Sequence, residues 1–142
     1  MEQLTDITFY TIEKAIRTYR TYAQKKLKEH GFKITIDQWL IIRSLLENPG
    51  MSQQEIAEQV FKDTASVTRM ITLLVKSGYV SREVHDSDRR KSNLTVTPEG
   101  VSVIRKVHSL VLKNRATALH GIAPAHLEIV NSVMKTIIAN CK

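Results

Sequence analysis

Residues 52–78 read SQQEIAEQVFKDTASVTRMITLLVKSG, and the fold turns on how many helices that stretch holds. Ser52-Gln53-Gln54-Glu55 is a capping box: a hydroxyl to accept from the third backbone N–H and a carboxylate to reach back. Met51 and Ile56 stand at the two positions of a hydrophobic staple. The helix so begun is short, about two turns, and ends near Val60 or Phe61. A tight turn through Lys62-Asp63 leads into a second helix over residues 64–77, closed by Gly78.

Placed on a helix at about 100° per residue, Val67, Met70, Ile71 and Leu74 gather on one side and predict burial. The other side carries Ala65, Arg69, Thr72 and Lys76, with Ser66 and Thr68 at its borders. That face is small, hydroxyl-bearing and cationic, and it lacks the glutamates of an ordinary solvated helix. A helix enters the major groove of a duplex only if its outer face is slim. There arginine bridges guanine O6 and N7, and serine or threonine bonds base edges or phosphates. A short bracing helix before it, joined by a sharp turn, completes a helix-turn-helix.

Downstream, residues 79–100 read YVSREVHDSDRRKSNLTVTPEG. Two segments of strand character, SREVH and NLTVT, flank the charged run DSDRRK and predict a hairpin with a cationic tip. A narrow minor groove favours arginine through its enhanced negative potential. Arg89 or Arg90 suits insertion there, and Lys91 suits a phosphate. Asp86 and Asp88 suit DNA poorly as contacts but well as braces, each accepting from a neighbouring guanidinium. Thr97-Pro98 then supplies an N-cap with proline at the first helical position.

Working outward, Thr35-Ile36-Asp37-Gln38 is another capping box, stapled by Ile34 and Trp39, and its helix stops at Asn48-Pro49-Gly50. Residues 4–30 carry Ile12, Ile16, Tyr19, Ala23 and Leu27 at helical steps and end at Gly31. Residues 98–119 are apolar on a broad arc: Val103, Ile104, Val107, Leu110, Val111, Leu112 and Ala118. The last helix shows Leu127, Val130, Met134, Ile137 and Cys141 at helical steps from about Pro124. The expected fold is mainly α with a small two-stranded β-hairpin, a winged helix-turn-helix with long N- and C-terminal dimerisation helices. Residues 34–97 form the DNA-binding lobe, and 1–33 with 98–142 the helical dimerisation region. The outer helices carry more apolar surface than the middle can cover, and a second copy is the expected cover.

Bulk properties narrow the class. The 142 residues suffice for one domain with a real core. Net charge is +7, yet residues 51–97 hold seven Lys/Arg against six Asp/Glu, so placement of charge rather than its total must argue for a polyanionic partner. No apolar run reaches membrane-spanning length, and no signal-peptide pattern opens the chain. A lone cysteine, Cys141, leaves no internal disulfide and no cysteine zinc site. The expected address is reducing and cytoplasmic. The five histidines show no ligand spacing, so no metal or other cofactor is expected. No nucleophile elbow or phosphate-binding glycine loop points to an enzyme. A winged-helix module docking a protein would want an apolar outward face on residues 64–77, which Arg69 and Lys76 oppose.

The segments SQQEIAEQV, TASVTRMITLLVKSGYV and DSDRRKSNLTVTPEG together resemble the MarR (multiple antibiotic resistance regulator) family of winged helix-turn-helix transcription regulators. The most specific part is the wing, Asp88-Arg89-Arg90 followed by Leu94 to Gly100. The resemblance implies a homodimer, assembled by the first and last helices, on a pseudo-palindromic operator. It implies Thr68 and Arg69 as major-groove readers, Ser66 and Thr72 nearby, and Arg90 at the wing tip braced by Asp88. It further implies a repressor released by a small lipophilic or phenolic ligand, bound between the dimer helices and the DNA-binding lobe. Tyr19, Tyr22, Trp39 and His108 are the candidates to line that crevice.

Overall fold

The computed structural model describes the backbone of residues 1–85 and 88–142, and side chains outside residues 84–92. A 3₁₀ turn, Leu4–Asp6, precedes α1 (Thr8–Glu29), α2 (Ile36–Glu47), α3 (Gln53–Val60) and α4 (Thr64–Lys76). The hairpin β1 (Val80–His85) and β2 (Asp88–Val96) follows, then α5 (Pro98–Ala118) and α6 (Pro124–Asn140). The first helix is therefore not continuous over residues 4–30. Ile7 is extended, at φ −89° and ψ 119°, and separates the opening turn from α1.

Both expected capping boxes form. The Gln38 N–H donates to Thr35 Oγ1 at 3.1 Å, and the Thr35 N–H donates to Gln38 Oε1 at 3.1 Å. The Glu55 N–H donates to Ser52 Oγ at 3.1 Å, and the Ser52 N–H donates to Glu55 Oε1 at 3.3 Å. α4 closes in a Schellman arrangement, with Gly78 left-handed and the Tyr79 N–H donating to Leu74 O at 3.0 Å. α3 closes the same way, with the Lys62 N–H on Ala57 O at 3.0 Å, but here the left-handed position is Phe61, at φ 61°. Phe61 is the one described non-glycine residue at positive φ. A β-carbon in that region costs on the order of 1–3 kcal/mol. The sharp turn between α3 and α4 is thus made by an aromatic residue that is itself 90% exposed.

The hairpin is antiparallel, pairing Val80 with Val96, Arg82 with Leu94 and Val84 with Ser92, and its register shifts between Val84 and His85. β2 begins earlier than the NLTVT segment suggests and takes Asp88 to Lys91 into the strand. At its far end Gly100 is fixed by proximity, because a β-carbon there would lie 2.2 Å from the Tyr79 carbonyl oxygen. Thr97 caps α5 by accepting from the Gly100 N–H at 3.1 Å, while its own N–H donates to Tyr79 O at 3.0 Å. The root of the wing is therefore clamped between α4 and α5.

One core runs through the lobe and past its expected borders. Ile41, Ile42, Ile56, Val67, Ile71 and Val107 are 0% exposed and share a cluster with Leu74, Val80 and Leu94. Each such side chain withdrawn from water contributes about 1.5–3 kcal/mol. Leu27 of α1 and Val103, Ile104 and Leu110 of α5 belong to the same cluster. Two polar links also hold α1 to α2: an Arg20–Asp37 ion pair, and the Ile36 N–H donating to Gln24 Oε1 at 3.0 Å. Asp37 faces Lys62 as well, at 3.8 Å.

Away from this core the outer helices stand uncovered. α6 buries no residue, and Ile129, Val130, Val133 and Ile138 are exposed along it. Phe9 and Ile16 of α1, and Leu112 and Leu119 at the end of α5, are likewise exposed. Two members of the apolar arc read on α5, Leu112 and Ala118, thus lie outside the protomer's core. An open groove of about 700 Å³ separates α1 from α6, walled by Ile12, Ile16, Leu119, Ile122, Val130 and Met134. Among the described residues no helix is long and apolar enough to cross a membrane.

Candidate nucleic-acid interface

α4 is stapled to the core by Val67, Ile71 and Leu74, all at most 1% exposed. Their spacing turns the opposite side to solvent: Ala65, Thr68, Arg69, Thr72 and Lys76 are all exposed. Leu73, 52% exposed, interrupts the polar face that the sequence pattern describes. Its position one turn beyond Arg69 places an apolar side chain among the polar ones.

The polar groups of this face are ordered by one another. Asp63 caps α4: its Oδ1 accepts the Ser66 N–H at 2.8 Å and its Oδ2 accepts the Ser66 hydroxyl at 2.8 Å. Arg69 Nη2 donates to Ser66 Oγ at 3.1 Å. The bond from the Ser66 backbone, then that from its hydroxyl, holds the Asp63 carboxyl below its ordinary pKa, and the Arg69 charge adds to the effect. The Thr68 hydroxyl lies within bonding distance of Gln53 Oε1 at 2.8 Å and of Thr64 O at 2.9 Å, so its one proton is shared between them. Gln53 is the first residue of α3, and this contact braces α4 against α3. Thr72 Oγ1 donates to Thr68 O at 2.9 Å.

Asp63 and Gln53 escape the sequence pattern. Asp63 carried a local signal, a capping residue type just before a helix, but without a Glu or Gln three places on it reads as part of the turn. Gln53 carried none, because its partner lies 15 residues away.

The hairpin leaves α4 through Gly78, and β1 packs beside α4. α4 and the wing thus occupy adjacent parts of the lobe. The side chains of Arg89, Arg90, Lys91 and Asp88, and Asp86 altogether, lie outside the described residues.

The candidate crevice residues divide. Tyr19 and Trp39 line one cavity of about 180 Å³ between α1, α2 and α5, together with Arg20, Val107, Asn114 and Arg115. Asn114 is 4% exposed and brings a polar group to that wall. Tyr22 faces a different, open hollow with Tyr10 and Lys14, which Tyr19 also borders. His108 is exposed and lines neither. It sits one residue beyond buried Val107, about 100° away around α5, which turns it to solvent. Among the described residues no three His, Cys, Asp or Glu side chains gather to hold a metal.

This arrangement of elements has relatives. Residues 34–92 match the family model described as MarR family. The lobe is thus similar to the MarR family. The match covers the helix-turn-helix and most of the wing, and solved MarR-type folds extend the likeness along the chain. BpsR of Bordetella bronchiseptica, whose DNA binding is regulated by 6-hydroxynicotinic acid, superimposes at TM-score 0.84 and 17% identity over 96% of both chains. AbsC, a MarR family transcriptional regulator from Streptomyces coelicolor, gives 0.83 and 22% over 99% of this chain and 96% of its own. MepR of S. aureus, solved in complex with DNA, gives 0.78 and 17% over 96% and 97%. At such identities the likeness establishes the fold. The shared fold takes in the outer helices as well as the lobe.

Proposed function

We propose that this chain is a member of the MarR family: a dimeric, sequence-specific DNA-binding transcription regulator, a cytoplasmic repressor whose hold on its operator is released by a small ligand. The observation that carries the reading is the outward face of α4. It is exposed, slim and cationic, and its Arg69, Ser66 and Thr68 are fixed by hydrogen bonds rather than left to wander. Preordered donors lose less freedom on binding than mobile ones. Thr68 and Arg69 read base edges in the major groove, with Ser66 and Thr72 at the flanks. At the wing, Arg90 or Arg89 enters the minor groove, Lys91 meets a phosphate, and Asp86 and Asp88 brace the guanidinium groups.

The uncovered faces of α1, α5 and α6 supply the reason for pairing. A second copy covers them and sets two α4 helices on one duplex, about 34 Å apart on a pseudo-palindromic site. MepR, bound to DNA, and BpsR, regulated by a small aromatic acid, support the reading by likeness of fold. For the ligand, the cavity between Tyr19 and Trp39 offers aromatic walls with Arg20 and Arg115 at its edge. That setting suits a small lipophilic or phenolic molecule.

Fluorescence anisotropy on a duplex selected from a random pool tests the reading across a salt series. Arg69→Ala loses roughly 1–3 kcal/mol and relaxes base preference. Arg90→Ala weakens all duplexes alike and lowers the salt slope by about one. Equal loss on selected and random duplexes for Arg69→Ala contradicts its role as a reader.

A further inference from the structure

The Ser66 hydroxyl has one proton, and it points to Asp63 Oδ2. Its lone pairs are then what Arg69 Nη2 meets at 3.1 Å, so the first bond sets the direction of the second. The carboxylate is in turn held to the helix end through the Ser66 backbone N–H. A relay of hydrogen bonds therefore runs from the cap of α4 to its arginine. A guanidinium has five N–H donors, and this relay uses one, leaving enough for a two-pronged guanine contact.

The cap alone does not call for a charge. Thr35, Ser52 and Thr97 cap α2, α3 and α5 with hydroxyl groups. Among the described helices only α4 has a carboxylate cap, on the face read as meeting a polyanion, where a negative charge opposes binding. What a carboxylate adds is its second oxygen. A serine or threonine cap accepts from the backbone but has no further atom to take the Ser66 proton.

We propose that Asp63 is a positioning residue for base reading: acting through Ser66, it sets where Arg69 presents its donors to the duplex. The inference rests on the reading of α4 as the recognition helix. It makes Asp63 a residue that raises selectivity while lowering attraction to DNA in general.

The test uses the full chain, a duplex selected from a random pool and a scrambled control, in competition anisotropy. Asp63→Asn and Asp63→Ser both retain a capping oxygen, and circular dichroism and melting confirm that the variants fold. The ratio of scrambled to selected Kd falls about three- to tenfold in each, the scale of one typical hydrogen bond. Scrambled binding stays unchanged or tightens. In an Arg69→Ala background the same substitutions leave the ratio where Arg69→Ala alone puts it, because no arginine remains to be placed. An unchanged ratio in the Arg69-bearing variants overturns the proposal while leaving the recognition-helix reading intact. An equal fall with and without Arg69 overturns it too. Should the unmodified chain bind both duplexes alike, the recognition-helix reading itself fails and the proposal falls with it.

Discussion

Ile71 on α4 and Ile138 on α6 are the same side chain on helices of similar length, yet one is 0% and the other 55% exposed. The lobe around Ile71 closes on itself: α2, α3, α4, the hairpin and part of α5 place their apolar residues into one cluster. α6 has an equally regular apolar period and buries nothing within the protomer. Helical periodicity reports that a face is apolar, not what covers it. The contrast separates a lobe whose shape is set by its own chain from a frame that leaves its apolar surface exposed. Leu27 and the first half of α5 pack into the lobe's core.

Substitutions at matched positions sharpen or break that contrast. Ile71→Ala, at a fully buried site, costs about 2–5 kcal/mol in chemical denaturation. Ile138→Ala in dilute protein costs less than about 0.5 kcal/mol, as a surface change does. Similar costs for the two would erase the distinction between lobe and frame. Next in size, Val133→Glu places an unpaired charge on the uncovered face and weakens self-association on the order of a hundredfold, read by sedimentation. The lobe's melting in the separated protomer is retained. A variant that still sediments as the unaltered protein does would place the pairing surface elsewhere.

A smaller effect separates the helix starts. Ser52→Ala removes one half of a formed capping box and costs about 1 kcal/mol. α6 begins at Ala123 with no side-chain cap, so Ala123→Ser adds a few tenths to about 1 kcal/mol. Thermal melts of both variants, at one protein concentration, check the pair. A destabilised Ala123→Ser protein would mean that the α6 start is already satisfied in some other way.

Much of the lobe was legible because its signals are local. The Thr35 and Ser52 boxes, the Thr97-Pro98 start and the glycine closing α4 each lie within a few residues, and each forms as the pattern demands. Phe61 shows where local reading stops. The position it fills ordinarily takes glycine, and the turn it makes is visible only as the close of α3. Of the candidate interface, the sequence pattern picks out the outward residues of α4 but not the bonds among them. Whether Ser66 faces Asp63 or solvent depends on rotamers, and Gln53 reaches Thr68 only once α3 folds back on α4. His108 is exposed, a single step along α5 from buried Val107, and its residue type alone does not report which way it faces.

The most direct test of the account is the footprint of the protein on its selected duplex, read by hydroxyl-radical cleavage together with the mass of the complex. Two copies of the chain per duplex, protecting two patches on one face centred about one helical turn apart, is the predicted result. One chain per duplex, or one undivided patch, would contradict it.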